Sequence, residues 1–457
     1  MLFRYINMFL RIAVILLALF ALTVTPQRVL AAKPWSNLIS IDGEFTDWQQ
    51  LGTVVSDPVG DAKGAFDLSR CETFVDGTTI YLRFDTQKSL NLQSGPSAEG
   101  TLDIRIQLDS ERVLLIGLRD RQARLVTNSE TRVIPWNEIE FAALPTYATD
   151  DFELRINLGS LGVPIGQQIT LNFQGSDELA NRIALTLKHH TPDAVAKPDL
   201  KKKLLGALRI ASLNTLKQGS HSEQRKPAIK NLFDFAGADI YCFNEALDET
   251  VFRQSCFEVL PVAFANTKNL HWSSTCGIVS RFPLTPLPFN CLEAAALIEI
   301  PGQGHLVVVS AHFTCCGYKD SKKDLKRIRE VKELLADLQR MRRGEFGAQA
   351  AKAGVIILGD YNLVGSRTPL DLVNEAGFKD VLLTSPVDGS AMTWRGIDPT
   401  ESFWPGRLDY VAIEQERVQS QGGFILNTEQ LNRFDASFAS ETLASDHSML
   451  VIDLTLP

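Results

Sequence analysis

The chain has 457 residues, 45% hydrophobic and 22% charged, with a net charge of −8. This composition excludes a disordered chain and makes two domains the natural expectation. The negative balance, with no basic face legible along the sequence, excludes a strong general hold on nucleic acid or on an anionic membrane.

Residues 1–32 read as a secretory signal. Arg4 and Arg11 precede an apolar run from Ile12 to Val24, and Val29-Leu30-Ala31-Ala32 offers small residues for cleavage. The run falls short of the roughly 20 residues that a membrane-spanning helix needs. A secreted or periplasmic protein with a cleaved signal is expected, an uncleaved anchor being the alternative reading, and no Cys stands near the cleavage point to carry a lipid. Export implies an oxidising compartment where disulfides can persist. Of the seven Cys only Cys71 lies outside the C-terminal half, and Cys242 and Cys276 sit in apolar runs as buried thiols or bridge partners. Their connectivity stays open, and their spacings match no zinc pattern.

Residues 33–187 read as a β-sandwich. Thr79–Asp85, Thr101–Leu108 and Phe152–Leu158 alternate apolar and polar residues, the pattern of half-buried strands. Regular strands without long helical patterns indicate an antiparallel sandwich. Ile41-Asp42-Gly43-Glu44-Phe45-Thr46-Asp47-Trp48, followed by Asp57-Pro58-Val59-Gly60-Asp61 and Asp67, resembles sugar-binding β-sandwich modules of the carbohydrate-binding family 9 type. That resemblance implies a glycan partner. Asp57, Asp61 and Asp67 form a candidate calcium set, because clustered loop carboxylates suit a hard cation; capping of their own turns is the other reading. Residues 188–204, with two Pro, His189-His190 and Lys201-Lys202-Lys203, read as an exposed linker whose Lys run is solvated.

A different grammar begins at 205 and runs to 457. Leu306-Val307-Val308-Val309 and Val355-Ile356-Ile357-Leu358 look like strands buried on both faces, separated by amphipathic helices. The clearest helix starts near Ser321, with Asp324 as a capping-box-like signal. It places Leu325, Ile328, Val331, Leu335 and Leu338 on one face and its Lys and Arg in solvent, and Gly344 stops it. Pro369 and Gly377 bracket a shorter helix.

Polar residues recur where these strands end. Leu208–Leu213 runs into Asn214, Ile240–Phe243 into Asn244-Glu245, Leu306–Ala311 into His312, and Val355–Gly359 into Asp360-Tyr361-Asn362. Arg407-Leu408-Asp409-Tyr410 and Ser445-Asp446-His447-Ser448 flank the last two apolar runs. If the strands share a sheet system, these clusters gather on one rim, where α/β folds place ligands.

With Ser212-Leu213-Asn214, Asn244-Glu245, Gly277–Pro283, Ser310-Ala311-His312, Gly359-Asp360-Tyr361-Asn362, Arg407–Tyr410 and Ser445-Asp446-His447 in order, the segment resembles the endonuclease/exonuclease/phosphatase superfamily. Asn244 stands where that family often has Gln, and Tyr361 where Phe is usual; neither removes a group expected to act. The resemblance implies a four-layer α/β/β/α sandwich and a metal-dependent phosphoric ester hydrolase. Its cation is Mg2+, with Mn2+ or Ca2+ as alternatives, held by Glu245 and Asp446 with Asn214 assisting through its amide oxygen. His447 is the family's candidate base, oriented by Asp409. Asp360 aligns the nucleophile, and Asn362 hydrogen-bonds the phosphate as charge develops. His312 protonates or steadies the leaving oxygen, so activity is expected to fall as pH rises past its pKa.

Three functions compete. The His312 match favours a phosphodiesterase on nucleic acid. The same site set serves phosphatases and phospholipase-type esterases on lipid headgroups such as phosphoinositide or sphingomyelin. The third is a non-catalytic glycan-binding surface protein. His271-Trp272 and Trp394-Arg395 stand equally between substrate contact and packing. Ser280-Arg281 reads as structural. Cys315-Cys316 would shape the rim through disulfides, with no nearby base to support a nucleophilic role. No protein partner is expected.

Overall fold

The computed structural model describes residues 38–48, 51–92, 100–190, 198–265, 267–398, 403–438 and 443–456. The signal segment 1–32 and the middle of the expected linker, 191–197, lie outside the described residues.

Before residue 190 the chain forms β1 Thr53–Ser56, β2 Leu68–Asp76, β3 Thr79–Leu90, β4 Leu102–Gln107, β5 Val113–Gly117 and β6 Gln122–Val126. It continues through β7 Thr131–Ile134, β8 Ala142–Leu144, β9 Thr149–Asn157, β10 Gln168–Gly175 and β11 Ile183–Thr186. One sheet has the order β1-β2-β3-β9-β8 and the other β11-β10-β4-β5-β6-β7, antiparallel throughout. The alternation seen in sequence is the reason. In β4, Leu102, Ile104 and Ile106 are buried between the partly exposed Asp103, Arg105 and Gln107, as the two-residue period of a strand dictates. Ile104 and Ile106 share one apolar core with Leu82, Phe84 and Phe152 of the other sheet.

The expected calcium set needs one correction. Asp57, Asp61 and Asp177 bring ligand oxygens within 4.8 Å of one another and Asp67 is not among them. Asp67 accepts the Gly60 N–H, and Asp57 and Asp177 also accept backbone N–H groups, from Ala180 and from Leu68 and Glu178 respectively. Asp177 arrives from beyond β10, so no local spacing announces it.

After residue 205 come β12 Leu208–Asn214, β13 Ile240–Asn244, β14 Leu270–Ser273, β15 Cys276–Ser280, β16 Leu284–Pro286 and β17 Ala294–Ile300. They are followed by β18 Gly304–His312, β19 Gly354–Asp360, β20 Phe378–Asp380, β21 Asp409–Glu414, β22 Gln419–Leu426 and β23 Met449–Thr455. Two mixed sheets result, β14-β15-β13-β12-β23-β22 and β16-β17-β18-β19-β21-β20. In each, the central pair is parallel, β12 with β13 and β18 with β19. Alternate residues explain the burial on both faces. Ile210, Cys242 and Ile278 of the first sheet meet Ala296, Val308 and Leu358 of the second in one cluster. Ala211, Tyr241 and Val279 pack instead with Ile229, Leu232 and Phe233 of the helix Lys226–Ala236. On the far side Val307, Val309 and Ile357 pack with Val331, Leu334 and Leu338 of the helix Lys322–Arg342.

That long helix begins where expected: Ser321 Oγ accepts the Asp324 N–H at 3.2 Å, and Gly344 adopts φ +87° just past its end. Its buried face differs from the expected one. Leu325 is 54% exposed, and Asp324, Arg327, Val331, Leu334, Leu338 and Met341 face inward. Arg327 is fully buried rather than solvated, paired with Asp324 at 3.1 Å. Its guanidinium also reaches the carbonyls of Thr314 and Cys316. A count of apolar residues alone misplaces such a face, because the buried charge pair occupies part of it.

The sandwich is wired to the later sheets. Thr146 Oγ1 lies 2.7 Å from Leu363 O and 3.0 Å from Arg407 O. Ala148 N donates to Gly365 O at 2.8 Å, and Asn91 Nδ2 donates to Val364 O at 3.0 Å. Arg155 pairs with Asp388. Trp404 is buried in the sandwich core, and Ala391 packs with Ile39, Ile41 and Trp48. The described ends of the expected linker are also engaged. Gly77 N donates to Lys188 O, Lys203 pairs with Asp239 at 2.7 Å, and Lys201 pairs with Asp435, so the Lys run is not merely solvated.

Candidate active site

Register explains why distant motifs meet. In the second mixed sheet His312 pairs with Asp360 across the parallel β18–β19 ladder, and Asp360 pairs with Asp409 across the antiparallel β19–β21 ladder. The ends of β18 and β19 therefore lie side by side, next to the start of β21. In the first mixed sheet Asn214 pairs with Asn244, and β23 starts beside the end of β12, which brings up Asp446 and His447. The approach of the strands needs a glycine before Asp360. Gly359 has φ +134°, and a Cβ there would lie 2.2 Å from Ala311 O and 2.7 Å from Asn244 Oδ1.

Asp360 is the hub. It is 1% exposed. Its Oδ2 accepts from Asn214 Nδ2 at 3.0 Å and Asn362 Nδ2 at 2.8 Å, and its Oδ1 accepts from Asn362 N at 2.8 Å. Asn244 Oδ1 accepts the Asp360 N–H, so the residue standing in place of Gln fixes the backbone beneath the hub. The Nε2 atoms of His312 and His447 both lie 3.8 Å from Asp360 Oδ2, one on β18 and the other just before β23.

The two imidazoles differ in what stands behind them. His447 Nδ1 is 2.8 Å from Asp409 Oδ2, and Asp409 is held in turn by its own N–H, which donates to Thr393 Oγ1. His312 Nδ1 is 2.8 Å from Thr275 Oγ1, a neutral partner. Burial opposes a charge on His447, but Asp409, Asp360 and Asp446 outweigh it and raise its pKa to about 10. Burial pushes Asp360 up to about 6, against the pull of His447.

Glu245 follows β13 in the left-handed region, φ +57°. Its carboxylate accepts from Lys217 N at 2.6 Å and Asn214 Nδ2 at 3.2 Å. Asp446 accepts from Trp394 Nε1 and Ser445 Oγ, both at 3.1 Å. Among the described residues no Lys or Arg forms an ion pair with Glu245, Asp360, Asp409 or Asp446. Asp360 and Asp409 have His447 as their cationic partner, whereas Glu245 and Asp446, half-buried and without an ion pair among the described residues, fit a site for a hard divalent cation. Asp360, Asp409 and His447 place ligand atoms within 4.8 Å of one another, but His447 Nδ1 already holds Asp409.

Two expected roles meet a different geometry. Asn214 turns its amide nitrogen, not its oxygen, toward Glu245 and Asp360, and its oxygen accepts from Leu216 N. Asn362 donates from Nδ2 to Asp360 and to Phe313 O, so its amide steadies the hub before it can meet a phosphate. Sequence reasoning missed Thr275 altogether, since a hydroxyl in a hairpin turn carries no local signal. It left Trp394 undecided, and the structure places its indole N–H on Asp446. Trp272 donates to Ala246 O. Arg281 and Arg407 are structural, paired with Asp239 and Asp380.

No protein-family model and no curated protein matches the chain. Solved structures do. They include D. rerio TDP2 complexed with single strand DNA product, at 17% identity over 55% of this chain and 99% of that one, TM-score 0.38. The AP endonuclease LMAP from Leishmania major is 10% identical over 58% and 93%, TM-score 0.39. An endonuclease/exonuclease/phosphatase from Beutenbergia cavernae is 14% identical over 55% and 72%, TM-score 0.34. These neighbours are of endonuclease/exonuclease/phosphatase type and match the C-terminal part of the chain.

Proposed function

We propose that residues 205–457, with helices outside two facing sheets in an α/β/β/α order, form a metal-dependent phosphoesterase that hydrolyses phosphodiester bonds in nucleic acid. One observation carries the reading: two imidazoles from different strands converge on a single buried carboxylate, one backed by Asp409 and the other by the Thr275 hydroxyl. Paired groups with unlike partners are what separate acid and base roles require.

Glu245 and Asp446 would hold the cation. When bound, a divalent cation supplies positive charge that neutralises phosphate oxygens and favours the charged transition state. The chain's own residues do the rest. Asp409 fixes the His447 ring with Nε2 facing the site. Because the carboxylates around it favour the protonated ring, His447 must first give up that proton before Nε2 takes the proton of the attacking water, and the rate should rise with pH toward 10. Asp360 keeps both rings and the Asn214 and Asn362 amides in register. His312, on the other side of Asp360, delivers a proton to the leaving oxygen.

The test is turnover by the purified chain with Mg2+ or Mn2+, and with chelator, against plasmid DNA, RNA, phosphoinositide and sphingomyelin. Metal-dependent cleavage of nucleic acid is expected. Turnover of lipid alone would move the substrate to the headgroup class, and no turnover under any metal would overturn the enzyme reading. We further read the protein as exported with residues 1–32 removed, which N-terminal sequencing of the extracellular or periplasmic form checks. For the sandwich we propose a glycan partner and a calcium ion at Asp57, Asp61 and Asp177. Glycan-array silence of the full chain, or no Ca2+-dependent rise in melting temperature, would remove each in turn.

A further inference from the structure

The loop leaving β18 reads Phe313-Thr314-Cys315-Cys316-Gly317, directly after His312. Of the seven cysteines, all free, five are buried and only Cys315 and Cys316 are exposed. Neighbouring side chains of an extended chain point to opposite sides. Here Cys316 at φ +69° and Gly317 at φ +89° fold the backbone so that the thiols meet, with Cys316 Sγ donating to Cys315 Sγ at 2.7 Å. The loop's inner side is pinned to the active site. Phe313 O accepts from Asn362 Nδ2 at 3.1 Å, Thr314 N donates to Glu330 Oε2 at 2.8 Å, and the buried Arg327 donates to Cys316 O at 2.7 Å.

We propose that Cys315 and Cys316 form an oxidant-responsive dithiol on the active-site rim, which a hydroperoxide closes to a vicinal disulfide. An exposed thiolate with a resolving thiol in contact is the arrangement that such chemistry needs. The hydrogen bond from Cys316, helped by Lys323, His312 and Arg327 nearby, lowers the Cys315 pKa to about 6. Burial pushes Cys71, Cys242, Cys256, Cys276 and Cys291 the other way. In the first step the Cys315 thiolate attacks the hydroperoxide; an S–O bond forms, the O–O bond breaks, and the alkoxide (hydroxide, for hydrogen peroxide) leaves and takes a proton from solvent to become the alcohol (or water). Cys316 then attacks the Cys315 sulfenic acid. The S–S bond forms, the S–O bond breaks, and hydroxide leaves with the Cys316 proton as water. Two electrons have passed from the thiol pair to the hydroperoxide. The closed ring draws the sulfurs to about 2.05 Å, and the loop transmits the change through Phe313 O to Asn362. This effect on turnover rests on the phosphoesterase reading; the dithiol chemistry does not.

The experiment uses the full reduced chain and hydrogen peroxide. Under native conditions the two exposed thiols should react rapidly with a chromogenic disulfide and the five buried ones should not. Limited peroxide should remove about two mass units, as two hydrogens, from the peptide bearing Cys315 and Cys316, and dithiothreitol should restore them. Cys316→Ser should stop at a dimedone-trappable sulfenic acid on Cys315, and Cys315→Ser should show neither product. Wild-type turnover should fall several-fold on oxidation and recover on reduction, while the double serine variant is insensitive. A pair that stays reduced under peroxide, or that bridges to another chain or another cysteine, overturns the dithiol site. A disulfide that forms without changing turnover of a cleaved substrate overturns its coupling to the active site.

Discussion

At His447 the proton balance is set by the carboxylates around it. Asp409 at 2.8 Å from Nδ1 orients the ring and raises its proton affinity. His447→Ala and Asp409→Asn should each lower kcat by about 100- to 10,000-fold, the range of a lost general base or its orienting partner, with the circular dichroism spectrum unchanged. A loss under tenfold in either would remove that residue from proton transfer. Thr275→Val tests the opposite side: it leaves His312 without its hydroxyl partner, and kcat should fall while KM holds. A second carboxyl offers a stability test outside the site. Glu293 is 3% exposed, its Oε2 has no hydrogen-bond partner, and burial raises its pKa from 4.5 to about 7. The folded state therefore binds this proton more tightly than the unfolded chain. The associated stability is present below pH 4.5, is lost as pH rises toward 7, and is flat above. Glu293→Gln should remove this pH dependence, which amounts to about 3 kcal/mol, measured by urea unfolding at pH 5 and pH 8. His312, Asp360, Asp409 and His447 were legible because each closes or opens an apolar strand; Thr275 was not, because its role exists only across 37 residues of chain.

At the scale of elements, the site depends on the close approach of β18 and β19 and on the helix behind them. Gly359→Ala would drive its Cβ into Ala311 O at a backbone angle that L residues resist. The expected result is loss of soluble folded protein or a sharp drop in Tm; a variant of unchanged Tm would show that the ladder can part at no cost. Arg327→Met would leave Asp324 buried without its cation. A loss of about 3–5 kcal/mol in unfolding free energy is expected, with a larger effect on kcat than on KM because the loop from His312 loses its anchor at Thr314 and Cys316. The start and stop of this helix could be read from Ser321 and Gly344. Its buried face could not, since Arg327 looks solvated until the carbonyls it reaches are in place.

For the whole molecule, the sandwich is joined by hydrogen bonds and packing to the two mixed sheets. The Thr146 hydroxyl touches carbonyls next to both Asn362 and Asp409, since Leu363 follows the first and Arg407 precedes the second by two. Thr146→Val should lower kcat several-fold and Thr146→Ser should restore it; equal rates for the two would reduce the contact to packing. Removing residues 33–190 would expose Trp404 and Ala391, which pack against the sandwich. The truncated chain should aggregate or melt well below the full chain.

What the sequence determined by itself was local and periodic. Alternation in β3, β4 and β9, apolar runs ending in Asn214, Glu245, His312 and Asp360, and the Ser321 cap each follow from residues within one turn or strand of each other. What only the tertiary structure decided was pairing over distance: Asp177 in place of Asp67, the Thr275 partner of His312, the inward Arg327, the amide orientations of Asn214 and Asn362, and the Thr146 clamp. Side-chain periodicity is fixed by backbone geometry and can be read along the chain. Hydrogen-bond partners of buried polar groups are chosen by whichever distant strand or loop arrives at bonding distance, and that is set by packing.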